Sequence, residues 1–292
     1  MAFKVERIGD GPIIVPHMDD RIGDNINGPS LIRVPEWVSD PLGRYYLYFA
    51  HHQGQYIRMA YAEALEGPWT LHGPGVLDLK DAFFKSHIAS PDVHLLADRQ
   101  EIRMYYHGCC LPDPPYQFTH VAESHDGLEF RAKREPLGAS YWRAFRWDNM
   151  VYTLEMPGTF RRSRSGTSGF EEGPTLFTEH MRHSAVRVSG STLQVFYSNA
   201  HDCPERILLS TIDLVPGWME WQVAQTQELL TAELEHEGAD CPVAPSERGS
   251  VHERVHQLRD PCIYEEDDRI YLLYTVAGER GIAIAELKPA AS

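Results

Sequence analysis

Short apolar runs, not helical stripes, dominate the chain. They are rich in Tyr, Val, Ile and Leu and punctuated by Gly, Pro, Asp and Asn, the pattern of strands joined by turns. They also recur in a fixed order. The first unit reads GPSLIRVPEW, GRYYLYFAHH, then QYIRMAYAEALEGPWTLHG. The second reads SPDVHLLADRQ, EIRMYYHGCC, then THVAESHDGLEFRA. The third, weaker, reads YWRAFRWDN, MVYTLEMPG, then TFRRSRSGTSGFEEG. The fourth reads RHSAVRVSGS, TLQVFYSNAHD, then RILLSTIDLVPGWMEWQ, and the fifth RDPCIYEEDD, RIYLLYTVAG, then GIAIAEL.

Each unit is a strand, a tight turn, an aromatic-rich strand, a loop and a third strand. Three units add a turn and an aromatic, in GPW, DGLEF and PGWMEW. Five such antiparallel units around one axis predict an all-β fold, a five-bladed β-propeller, which accounts for the repeat better than an irregular β-sandwich does. The blades fall at about 28–76, 88–135, 140–174, 182–223 and 259–288 of a single domain spanning 1–292. The fifth unit stops after three strands, and the N-terminal strand at 3–8 is expected to complete it and close the ring, so that no sheet edge is left open. Residues 225–257 break the order and read as an insertion, with one short helix over QELLTAELEHEG followed by a polar loop.

Composition narrows the partners. Of 292 residues 42% are hydrophobic, enough for a real core. A net charge of −15 argues against a nucleic-acid partner and against anionic membranes. MAFKVERIGDG has no apolar signal core, and no run of eighteen apolar residues occurs, so a cytoplasmic protein without a membrane span is expected. The five Cys are odd in number and lack metal-site spacing, which reads as reduced thiols. Nothing in the sequence sets the oligomeric state.

In a propeller the innermost strands start at one end of the central channel, and the loops leaving the second strands return there. The innermost strands open with Asn27-Gly28-Pro29, Ser90-Pro91-Asp92, Tyr141-Trp142-Arg143, Arg182-His183-Ser184 and Arg259-Asp260-Pro261. The second strands end with His51-His52, His107-Gly108, Glu155-Met156, Asn199-Ala200-His201 and Val276-Ala277-Gly278. All but the last carry polar, ionisable or aromatic groups, whereas the strand interiors are apolar. That contrast predicts a ligand site at one channel mouth. Asn27, His51, His107, Trp142, Arg143 and His201 are candidate substrate contacts, joined by His94, which the period-two rule puts on the face of Asp92. A divalent metal could use His51, His107, His183 and His201 with Asp92 or Asp260.

The blade pattern resembles the five-bladed β-propeller glycoside hydrolases, the clan of arabinanases, β-xylosidases, fructosidases and neoagaro-oligosaccharide hydrolases. ASPDVHLL resembles its second-blade APDV stretch, RDPCIY its DP blade opening, and AEALEGPW and ESHDGLEF its blade-edge turns. The resemblance implies three convergent carboxylates: a base or nucleophile, a residue that tunes pKa, and a general acid, the groups that glycoside cleavage needs. Asp92 matches the tuning position and Asp260 the RDP pattern. The first blade departs, with Gly28-Pro29 where Asp-Pro is expected and Asp24 the one nearby carboxylate able to act as base. The acid's station holds His183, like the His acid of the neoagaro-oligosaccharide branch, and Glu155 is the other acid candidate, its pKa expected to be raised by burial among aromatics. No obligatory cofactor is implied, although such hydrolases often hold a cation, commonly calcium, on the axis.

The leading expectation is hydrolysis of a small oligosaccharide or glycoside. A glycoside phosphorylase on the same fold stays open, as does a carbohydrate-binding propeller without catalysis.

Overall fold

The computed structural model describes residues 2–112 and 115–290. Its five antiparallel sheets form the five-bladed propeller. From the axis outward, blade 1 runs Asn27–Arg33, Tyr45–Ala50, Tyr56–Ala62 and Thr70–Leu71, with Leu77–Asp78 added beside the third strand. Blade 2 runs Ile88–Leu96, Glu101–Pro112, Pro115–Ser124 and Arg131–Ala132. Blade 3 runs Arg143–Trp147, Met150–Glu155, Thr159–Ser163 and Glu171–Thr175. Blade 4 runs Met181–Ser189, Thr192–Asn199, Ile207–Asp213 and Val223–Leu230. Blade 5 runs Arg259–Glu266, Arg269–Thr275 and Ile282–Pro289, and Phe3–Arg7 closes it, Phe3 opposite Pro289.

The second strands read as unbroken apolar runs because both of their faces are buried between neighbouring blades. In blade 1, Tyr46 and Tyr48 join the core shared with blade 2, whereas Tyr45, Leu47 and Phe49 join the core shared with blade 5. In blade 5, Tyr271 and Leu273 face blade 1, and Leu272 and Tyr274 face blade 4. One apolar cluster fills each of the five interfaces. The smallest, between blades 2 and 3, centres on Tyr105, Val121, Trp142 and Val151.

Polar groups near the heads of the innermost strands tie blade to blade. The Ser30 hydroxyl accepts from Val93 N at 2.9 Å, and the Asp92 carboxylate accepts from Ala144 N at 2.8 Å. Arg143 Nε donates to Ser184 O at 2.8 Å. Ser30, Asp92 and Arg143 occupy one register, two residues beyond Gly28, Ser90 and Tyr141. Asp92 therefore joins the least apolar interface.

The helix expected over QELLTAELEHEG is not formed. Val223–Leu230 is instead the outer strand of blade 4, paired with Ile207–Asp213, and only Glu235–Glu237 makes a single 3-10 turn. The unpaired edge of the third strand overrides weak local helix preference. The insertion is thus shorter, beginning after Leu230.

Gly28 explains the departure in the first blade. Its φ is 60°, and a Cβ there would lie 2.9 Å from Ser90 Cα in the next blade. Neither atom belongs to a flexible side chain, so a side chain at 28 forces two blades apart. Gly28→Ala should lower stability by about 1–3 kcal/mol. Thermal unfolding measures this, and an unchanged midpoint would refute the close-approach account.

Candidate functional site

The five innermost strands enter the mouth through the same backbone device. Gly28, Ser90, Tyr141, His183 and Asp260 are equivalent, with φ of 60°, 50°, 61°, 46° and 47°. In four blades the ladder register shifts at this point, between Asn27 and Ser30, Ala89 and Asp92, Arg182 and Ser184, and Arg259 and Cys262. Four of these left-handed residues carry side chains, a conformation that costs about 1–3 kcal/mol at each position. The kink turns the side chain into the channel.

Ser90, Tyr141, His183 and Asp260 line a cavity of about 380 Å3 there, with Asn27, His52, His87, His107, Arg182 and Arg248. Asp260 is the one carboxylate lining it among the described residues. Its Oδ1 accepts the Tyr141 hydroxyl at 2.5 Å, and its Oδ2 accepts Thr275 Oγ1 at 3.3 Å. Burial, reinforced by the negative Glu279, pushes the Asp260 carboxyl up to about 6, against the Tyr141 hydrogen bond and the charges of Arg182 and Arg259. The Tyr141 phenol is held well above its usual range by burial and by Asp260, so it stays a donor. Its ring lies over the Arg143 guanidinium at 4.6 Å and beside the His183 ring at 5.0 Å.

Beneath the cavity sits a buried charge network. Arg259 pairs with Glu205 at 3.1 Å and Glu279 at 3.4 Å, and donates to Gln257 Oε1. Glu279 also faces His52 Nδ1 at 3.3 Å and accepts from Asn25 Nδ2 at 2.5 Å. Burial alone would raise the Glu279 carboxyl, but His52, Arg259 and Asn25 hold it down at about 2. Glu279 is therefore a permanent negative charge, and its field helps keep the Asp260 proton on.

His183 and His107 are pushed well below the usual imidazole range. Burial is the main cause, followed for His183 by the Arg182 charge and for His107 by His87. His183 Nε2 accepts from Arg182 Nε at 3.3 Å and Nη2 at 3.2 Å, which leaves the proton on Nδ1, 3.5 Å from Asp260 Oδ2. That is the state of a neutral hydrogen-bond donor, not of the protonated acid anticipated at this station. Among the described residues, His183 Nδ1 and Asn27 Oδ1 are both buried without a hydrogen-bond partner.

Of the residues singled out from the sequence, Asn27, His107, His183 and Asp260 meet in the cavity. The others lie elsewhere. The Asp92 carboxylate takes His94 Nε2 at 2.7 Å and Ala144 N; burial alone would raise it, but His94, Arg143 and the Ala144 amide bring it below the usual range. His94 thus faces the seam between blades 2 and 3. Glu155 Oε2 accepts from Ala139 N at 2.8 Å, Trp142 Nε1 at 2.9 Å and Arg161 Nε at 3.0 Å. Burial there comes with the donors a carboxylate needs, unlike the apolar surround expected for it. Trp142 points away with it, and Arg143 lies under Tyr141. Asp24 pairs with Arg280 at 3.1 Å outside the cavity, where His51 Nδ1 accepts from Gln53 N. His201 packs beside His180, and its amide is held by Ser246.

The four His offered as metal ligands do not converge among the described residues. One carboxylate among imidazoles is also a poor match for the six to eight oxygens of calcium on the axis. His52, His87, Ser90, Tyr141, Arg182 and Arg248 were not selected from the sequence. His52, Ser90, Tyr141 and Arg182 carried a signal as station residues. His87 and Arg248, set in loops outside the repeat, carried none.

No family model matches the chain. It is 35% identical over 297 residues to the uncharacterized protein R118 of Acanthamoeba polyphaga mimivirus, covering 90% of this chain and 83% of that protein. Among solved structures, the GH43 β-xylosidase/α-arabinofuranosidase CoXyl43 from a compost microbial metagenome superposes at TM-score 0.64 and 15% identity, covering 99% of this chain and 96% of that one. The GH43_1 enzyme of Xanthomonas citri in complex with xylotriose gives 0.65 and 14%, over 98% and 91%. A structure from the GH130 family of mannoside phosphorylases, which contains glycoside hydrolases that target β-1,2 mannosidic linkages, gives 0.70 and 9%, over 100% and 96%. At these identities the solved structures establish a shared fold. The chain belongs to the family of mimivirus protein R118 and has a five-bladed β-propeller fold like that of these solved structures.

Proposed function

We propose that the protein cleaves the glycosidic bond of a small carbohydrate at the channel mouth, with Asp260 as proton donor. The observation that carries this is Asp260 itself: a fully buried carboxyl raised to about 6, facing a cavity of sugar size. A group with that pKa keeps its proton up to about pH 6, well above an ordinary carboxyl, and can release it to a leaving oxygen. Tyr141 and Thr275 then stabilise the carboxylate left behind. Asn27, His183 and Ser90 also line the cavity, so amide, imidazole and hydroxyl groups surround the space a sugar would occupy. The likeness in fold to xylose-binding propellers agrees with such a ligand.

One carboxylate is half of the usual hydrolytic pair. In hydrolysis the neutral imidazole of His87 would take the proton from water as the water oxygen bonds to the anomeric carbon and the glycosidic bond breaks. A second reading, phosphorolysis, is favoured by the two guanidinium groups of Arg182 and Arg248 at the same cavity. There a phosphate oxygen bonds to the anomeric carbon, the glycosidic bond breaks, and the leaving oxygen takes the Asp260 proton.

Aryl-glycosides and oligosaccharides assayed with and without phosphate separate these readings, since only phosphorolysis yields a sugar 1-phosphate. Asp260→Asn should cut turnover of oligosaccharides by roughly 10²–10⁴-fold. Dinitrophenyl glycosides, whose leaving group needs no proton, should be largely spared. Equal retention of both would exclude Asp260 as the acid.

The pH profile is the second test. Because the protonated form is active, kcat/KM should fall as pH rises through about 6. Tyr141→Phe deletes a hydrogen bond that favours the carboxylate, so the alkaline limb should move upward. A downward or absent shift would show that Tyr141 does not act on Asp260.

A further inference from the structure

A second cluster of ligand-bearing side chains lies outside the cavity. Asp24 precedes the first blade, His51 ends its second strand, and His252 belongs to the insertion. One ligand atom from each lies within 4.8 Å of the other two. We propose that Asp24, His51 and His252 bind a divalent transition metal such as zinc, which pins the insertion to the first blade beside the mouth.

The donor set decides the class of ion. Two imidazoles and one carboxylate suit zinc and its first-row neighbours and do not suit calcium or magnesium.

The cluster is also held in place. Arg280 Nη1 donates to Asp24 O at 3.0 Å, Asp24 Oδ2 at 3.1 Å and His252 O at 2.9 Å. This clamps blade 1 to the insertion and turns Asp24 Oδ1 toward His252 Nδ1, 3.6 Å away. Two ligands of one tetrahedral zinc stand about 3.3 Å apart, so this pair needs to close by only tenths of an ångström. No separation exceeds 4.8 Å, so each pair closes by at most about 1.5 Å, an adjustment the half-exposed His252 imidazole can make by side-chain rotation while Arg280 holds its backbone.

His51 Nδ1 currently accepts from Gln53 N at 2.9 Å. Coordination through Nε2 would move the ring proton to Nδ1 and give up that contact, a loss of about one ordinary hydrogen bond, small beside zinc affinity.

The position gives the ion a consequence. His52, next to His51, lines the cavity, and so do Arg248 and Gly249, upstream of His252 in the same insertion. A metal at this point would fix the lip of the site without entering it.

Titration of zinc alone into chelator-treated protein, followed by calorimetry and metal analysis, tests this. One ion per chain should bind, and His252→Ala and Asp24→Asn should each weaken binding by roughly tenfold or more. Zinc should raise the melting temperature of the wild type and not that of His252→Ala. His201→Ala probes the rival pair His180 and His201, whose rings are 5.4 Å apart, and should change nothing. Absence of binding, binding indifferent to His252 and Asp24, or loss with His201→Ala instead would each overturn the proposal.

Discussion

The structure around the mouth depends on one buried cation. Arg259 is fully buried between Glu205 and Glu279, and these three residues come from the second-to-third-strand loop of blade 4, the head of blade 5 and the loop before its third strand. Arg259 Nη1 also reaches Gly249 O at 3.4 Å in the insertion. Removing either partner of such a pair leaves an uncompensated charge in low dielectric, a loss of about 3–5 kcal/mol. An apolar substitute could hold the blades together as well. It could not hold Glu279 ionised beside Asp260, and that charge is part of what raises the Asp260 carboxyl. The network is thus better understood as a device for the site than as a source of stability.

The same holds for the backbone. Four side-chain-bearing residues adopt positive φ at equivalent points of the blades, each at an energetic cost. Strain repeated at the mouth, in a fold otherwise built from relaxed strands, points to function. The kink also explains the division of labour within each opening. The left-handed residue turns into the channel, while the residue two positions on binds the next blade, as Ser30, Asp92 and Arg143 do.

That division decides what the sequence could reveal. The blades were legible because apolar runs with both faces buried, separated by turn residues, have few other solutions. The ring closure through Phe3–Arg7 followed from the missing strand. The mouth was legible as a set of places. Which residue at each place enters the channel was not, because a bulge resets the period of two and leaves no trace in composition. Asp92 looked catalytic from its neighbours in sequence, yet the bulge gives the channel to Ser90 and the interface to Asp92. His51 and His52 are divided in the same way, with His52 at the cavity. Residues 227–230, the end of the outer strand Val223–Leu230, read as the start of a helix because the partner strand, not their own sequence, determines their form.

The first-blade glycine sharpens the chemical problem. With Gly28 packed against Ser90 Cα, no carboxylate can project from that station, and Ser90 fills the next one. Three of the five stations that could carry charge or chemistry therefore remain, holding Tyr141, His183 and Asp260. Two of these are kept neutral by burial, and the third holds its proton up to about pH 6. Below about pH 6 these stations carry no negative charge, and the guanidinium groups of Arg182 and Arg248 line the same cavity. On the proposed reading, the nucleophile would therefore come from outside the ring of stations, as water or as an oxyanion brought by the reaction itself.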